Sequence, residues 1–153
     1  MSEWELEDGL FEATIDRVIP SLDREKAFYT KVAGVSHPND DGSSCARIIE
    51  ECEIFECLNL IWQTENKFDP NAVAVRRVGT GEQLGYLEAR LAAEVVRSLK
   101  TQGPCWTALF RHPTHHPETG QVVGAVLYMV RFSDVYLERK AAELSAKQPD
   151  LEK

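Results

Sequence analysis

Leu91, Val95 and Leu99 fall at i, i+4 and i+8, the single apolar stripe of an amphipathic helix. That pattern predicts a helix over residues 88–100, with Glu88 in its first turn, Lys100 in its last and Gly103 as the stop. Cys45, Ile48, Ile49 and Cys52 repeat the helical spacing over a shorter span, behind Ser43 or Ser44 as a cap. Elsewhere the period drops to two or the apolar residues run together. Residues 28–35, 56–63, 72–78, 84–87, 105–112 and 121–132 read as six strands rich in β-branched and aromatic side chains. The cluster HPNDDG (37–42), the segment VGTGEQ (78–83) and the segment PTHHPETG (113–120) read as turns, the last as an exposed hairpin tip. Ser133 or Asp134 opens a final helix to about residue 147, beyond which the chain is expected to fray. Residues 1–27 scatter Trp4, Leu6, Leu10, Phe11, Ile15, Val18 and Ile19 among acids, and part of this arm is expected to pack on the domain. The expected fold class is α+β: a small six-stranded antiparallel OB-like β-barrel with two internal helices and a C-terminal helix. The expected division is an acidic arm (1–27), a barrel domain (28–132) and a C-terminal helix with its tail (133–153).

The stretch NKFDPNAVAV (66–75) places a polar, aromatic and acidic loop directly before an alternating strand. Asp69 and Asn71 flank Pro70, the residue mix of a turn held by side-chain to backbone hydrogen bonds. Such a loop is fixed at the mouth of a sheet, where its side chains can converge on a ligand. GEQLGYLEARLAAEVV (81–96) follows as a turn, a short strand and a helix. Together the DPNA and LGYL elements resemble the signature of the HIRAN domain, over roughly residues 28–132. The resemblance implies an OB-like barrel that works as a non-catalytic binding module for the free 3′ end of single-stranded DNA. By that likeness Asp69 takes the position of the acid that meets the terminal hydroxyl. Asn66 and Phe68 match the polar and aromatic positions of the same loop, with Phe in place of the more usual Tyr. Tyr86 matches a ring facing the same pocket. His37 stands in the loop that usually offers a basic or aromatic pair, here beside Asp40 and Asp41. The helix after LGYL starts with Glu88 and Ala89 where the family often has lysines.

Charge bears on that expectation. The net charge is −8, which argues against a broad, non-specific nucleic-acid binder. Residues 1–30 carry net −5, residues 31–131 net −2 and residues 132–153 net −1, so much of the acidity sits in the leader. Lys31, Lys67 and Arg76 are candidate phosphate contacts, with Arg77, Arg111 and Arg131 as further bases. Alternation puts Arg76 and Arg77 on opposite strand faces. Solvated edge charges that discourage sheet pairing account equally for these bases.

The local alternative for the loop is that Asp69 braces its own turn and Phe68 plugs the barrel end. Trp62, Trp106 and the run 128–132 read as core. Glu50 and Glu51 read as a solvated helix face. His112, His115 and His116 with Cys105 offer no converging ligand set, so neither a metal nor any other cofactor is expected. The cysteines show no CxxC pair and read as free thiols. No nucleophile elbow or GxxxxGK loop is present, so the chain is not expected to be an enzyme. The acidic start lacks the basic head and apolar core of a signal peptide, and a cytoplasmic location is expected, with no membrane partner. The expected partners are single-stranded DNA or DNA ends bearing a 3′-hydroxyl, in repair or replication-fork processing, with a separate helicase or nuclease. The alternative is a protein-interaction adapter using the barrel mouth or the acidic arm.

Overall fold

The computed structural model describes residues 3–147. Among them the strands, in chain order, are β1 (Arg24–Lys31), β2 (Cys57–Trp62), β3 (Val73–Arg77), β4 (Gln83–Tyr86), β5 (Trp106–His115) and β6 (Val122–Phe132). The helices are α1 (Glu3–Val18), α2 (Cys45–Glu51), α3 (Ala89–Gln102) and α4 (Asp134–Lys147), with one 3-10 turn at Ser21–Asp23. The six strands form one antiparallel sheet in the order β1-β6-β5-β2-β3-β4, curled into a half-barrel. The expected fold class is therefore the observed one.

The chain divides into two compact units, residues 27–130 and residues 1–26 with 131–153. In the larger unit the core is built from alternate strand residues. Leu58 on β2, Val73 and Val75 on β3, Leu84 on β4, Phe110 on β5 and Leu127 and Met129 on β6 are all buried. They meet Ile48 and Ile49 of α2 and the α3 stripe of Leu91, Val95 and Val96. The α2 cap is Ser44, whose hydroxyl accepts from the Arg47 N–H. The two edges of the curled sheet approach each other at one point. Ala33 and Tyr86 exchange two backbone hydrogen bonds of 2.8 and 2.9 Å. Only glycine allows this at position 85: its φ is +150°, and a Cβ there would meet the Ala33 carbonyl oxygen at 2.5 Å.

In the smaller unit, α1 buries Phe11 and Ile15, and Ile19 beyond its end is buried as well, whereas Leu10 and Val18 are exposed. The side chains of Trp4 and Leu6, and the tail after Lys147, lie outside the described residues. Ser133 caps α4: its hydroxyl accepts from the Tyr136 N–H and donates to the Leu22 carbonyl. Arg139 pairs with the buried Asp23 at 2.7 Å.

Three differences from the sequence reading stand out. The helix α1 was not expected, because Gly9 and the many acids dilute its apolar pattern, although Phe11, Ile15 and Ile19 keep the i, i+4, i+8 spacing. Strand β1 spans Arg24–Lys31 rather than residues 28–35, since its first residues are charged and mostly exposed and show no apolar alternation. Strand β5 continues through Pro113 to His115, since a proline fits a strand wherever the ladder requires no N–H.

Candidate nucleic-acid interface

The candidate site rests on a row of side chains across three strands. The β2–β3 register pairs Ile61 with Ala74, and the β3–β4 register pairs Ala74 with Tyr86. Paired residues point to the same side of a sheet. Ile61 and Tyr86 thus flank Ala74, which is itself fully buried. This is the face opposite Val73 and Val75, which point into the core. The loop that joins β2 to β3 supplies the next side chains. The result is an open groove of about 660 Å³ lined by Ile61, Trp62, the loop residues 63–68, Tyr86 and Asp40.

Short hydrogen bonds set the loop. Asn66 Oδ1 accepts from the N–H groups of Phe68 and Asp69, each at 2.9 Å, and its amide nitrogen donates to Gln63 Oε1 at 3.0 Å. Asp69 Oδ1 accepts from the Asn71 N–H at 2.9 Å. The Trp62 indole N–H donates to the Pro70 carbonyl at 2.8 Å. The Asp69 bond to the Asn71 N–H is the side-chain to backbone bond that the Asp, Pro and Asn spacing implied; the Asn66 and Trp62 bonds add to it. Asp69 does brace its own turn, through one carboxylate oxygen. Phe68 does not plug the barrel: it is 99% exposed. A rigid loop thus holds a bare aromatic ring at the groove lip.

The sequence-derived site residues separate in space. Asn66, Lys67, Phe68 and Tyr86 line the groove together. Asp69 is half-buried in the same loop and is not among the groove-lining residues. His37 is exposed and outside the groove lining; its carbonyl receives the Cys45 thiol at 3.6 Å. Arg76 lines a smaller adjoining cavity of about 230 Å³ with Asn39, Asp40 and Asp41, and its guanidinium donates to Gln83 Oε1. Lys31, near the end of β1, lines neither cavity. Two of the further bases cannot serve a phosphate track. Arg111 is buried, and Arg77 is enclosed by Glu51, Glu56 and Glu82 at 3.6, 2.7 and 3.4 Å. Glu51 is therefore an ion-pair partner and not only a solvated helix residue.

Six groove residues, Asp40 and 61–65, lay outside the candidate set, and two of them matter most. Trp62 packs against the core and also walls the groove. Its place at the end of β2, beside the loop, was the available signal. Asp40 comes from the turn after β1, which Asn39 ties to β4 by donating to the Gln83 carbonyl at 2.9 Å. That contact joins residues far apart in sequence and has no local signature. Asp41 accepts from the Ser43 hydroxyl and N–H, and these bonds hold its carboxyl below the usual range. Among the described residues no group of His, Cys, Asp or Glu is arranged to hold a metal ion.

This architecture has known counterparts. The crystal structure of the HIRAN domain of human HLTF superposes with a TM-score of 0.53, covering 81% of this chain and 90% of that one at 15% identity. The chain has the fold of a HIRAN domain. A protein from Lactobacillus plantarum matches the same fold with a TM-score of 0.50, over 71% of this chain and 97% of that one, at 16% identity. No protein-family model matches the sequence, and no curated protein matches it significantly. No helix among the described residues is long and apolar enough to cross a membrane.

Proposed function

We infer that the chain is a non-catalytic module that binds single-stranded DNA at a free 3′-hydroxyl end, serving repair or replication-fork processing with a separate helicase or nuclease. The observation that carries this reading is Phe68, fully exposed on a loop that five hydrogen bonds hold rigid, beside Tyr86 in an open groove. An exposed ring on a mobile loop would lose much of its binding energy to ordering; this ring is already placed. Stacking of a base on such a ring contributes about 1–3 kcal/mol whatever the base. Asp69 has one carboxylate oxygen committed to Asn71, and the other accepts the terminal hydroxyl. A carboxylate accepts from a hydroxyl and repels a phosphate, so the module selects unphosphorylated ends.

Fluorescence anisotropy against oligonucleotides that differ only at the 3′ end tests this directly. The 3′-hydroxyl strand binds more tightly than the 3′-phosphorylated one; equal affinities at fixed salt would remove end recognition. The second reading is a protein-interaction adapter. It is favoured by the acids of the groove, Asp40 and Glu65 against Lys67 alone. Under that reading neither oligonucleotide binds at any salt.

A further inference from the structure

The groove adjoins two neighbouring cavities, and they differ in charge. Through Asp40 it meets the small cavity of Asp41 and Arg76. Two carboxylates face one guanidinium there, and the Ser43 bonds keep Asp41 ionised well into acid. Through Trp62 the groove meets an apolar pocket under the end of α3, lined by Leu60, Val95, Leu99, Pro104 and Trp106. On that side Lys100 holds its ammonium 5.2 Å from the centre of the Trp62 ring. Arg97, one turn earlier on α3, is exposed as well. The indole is locked by its bond to the Pro70 carbonyl, so the lysine stands over a fixed surface.

We propose that a single strand whose 3′ end occupies the groove leaves it across Trp62, with its next backbone phosphates on Lys100 and Arg97. The proposal rests on the end-binding reading above and adds the direction of the strand. Electrostatics decides between the two sides, because phosphates avoid the paired Asp40 and Asp41 and meet two bases beyond Trp62. The same lysine also offsets the negative end of the α3 dipole, a purely structural role that predicts no effect on DNA.

The test uses the full chain and labelled oligothymidylates with 3′-hydroxyl ends, one of about 3 and one of about 10 nucleotides, which bracket the lower site sizes of OB folds. For Lys100→Ala, the slope of log affinity against log salt falls by about 0.7 for the longer strand, the share of one phosphate contact on single-stranded DNA. The short strand is unaffected, the thermal melt falls by no more than about 4 °C, the loss of the dipole contact alone, and Lys100→Arg restores the slope. Asp41→Asn leaves both strands unchanged. An unaltered slope in Lys100→Ala, with Asp41→Asn tightening the longer strand, would overturn the proposed direction. Phe68→Ala separates the two levels. If it weakens both strands while Lys100→Ala leaves the slope unchanged, the path is wrong and the end-binding reading stands. If the wild type binds neither strand, both fall.

Discussion

The two ends of strand β3 solve opposite problems. At its start, the loop 63–71 uses polar side chains to hold its own backbone, and this leaves Phe68 bare and Asp69 with one oxygen to spare. At its end, Arg77 gathers Glu51, Glu56 and Glu82 from α2, the β2 approach and the β3–β4 turn. The first network is local and spends its hydrogen bonds on shape. The second is long-range, and its one guanidinium is fully engaged by three carboxylates. Both contain the residue types that suggest function. Only the first leaves chemistry unspent, and that decides which end of the strand is the candidate site.

The contrast predicts different costs. Arg77→Leu strands Glu56, whose side chain is only 21% exposed, and should cost about 2–4 kcal/mol in stability. Urea unfolding measures this, and end binding per folded molecule should not change. A loss of binding without a loss of stability would show that the two ends are not independent. Asn66→Ala removes the acceptor of two backbone N–H groups and should cost about 1–2 kcal/mol, with a fall in DNA affinity because the ring is no longer held. Wild-type affinity in that variant would mean that rigidity of the loop is irrelevant.

Acid offers a smaller lever on the Arg77 end. The Arg77 guanidinium lowers the Glu56 pKa. A carboxyl depressed in the folded state contributes stability above its unfolded pKa of about 4.3, and loses it as pH falls through the lower folded value. Stability of the wild type should therefore drop over this acid window more steeply than that of Glu56→Gln. Parallel acid titration curves for the two proteins would contradict the assignment. The smallest expected effect on stability is at the loop tip. Phe68→Ala should change the unfolding free energy by no more than about 0.5 kcal/mol, since the ring covers no core, while any base stacking is lost. A large destabilisation would return Phe68 to the barrel.

The sequence by itself determined what depends on near neighbours. The α3 stripe of Leu91, Val95 and Leu99, the Ser44 cap and the alternation of β2 and β3 were legible because periodicity and capping act within a few residues. The Asp69–Pro70–Asn71 turn was legible for the same reason, whereas the Asn66 bonds that complete the loop were not read. Helix α1 was missed because its stripe of Phe11, Ile15 and Ile19 is diluted by Gly9 and surface acids. The tertiary structure alone decided which residues share a groove. Ile61, Ala74 and Tyr86 come from three strands, and only their register makes them a row. Gly85 reads as one residue of a short strand, and its need for glycine shows only when the Ala33 carbonyl is found against it. Arg76 and Arg77 are adjacent and equally charged in sequence, yet one borders the site and the other is consumed by three carboxylates. Pleat and long-range packing separate them, and both depend on strand partners far away in the chain.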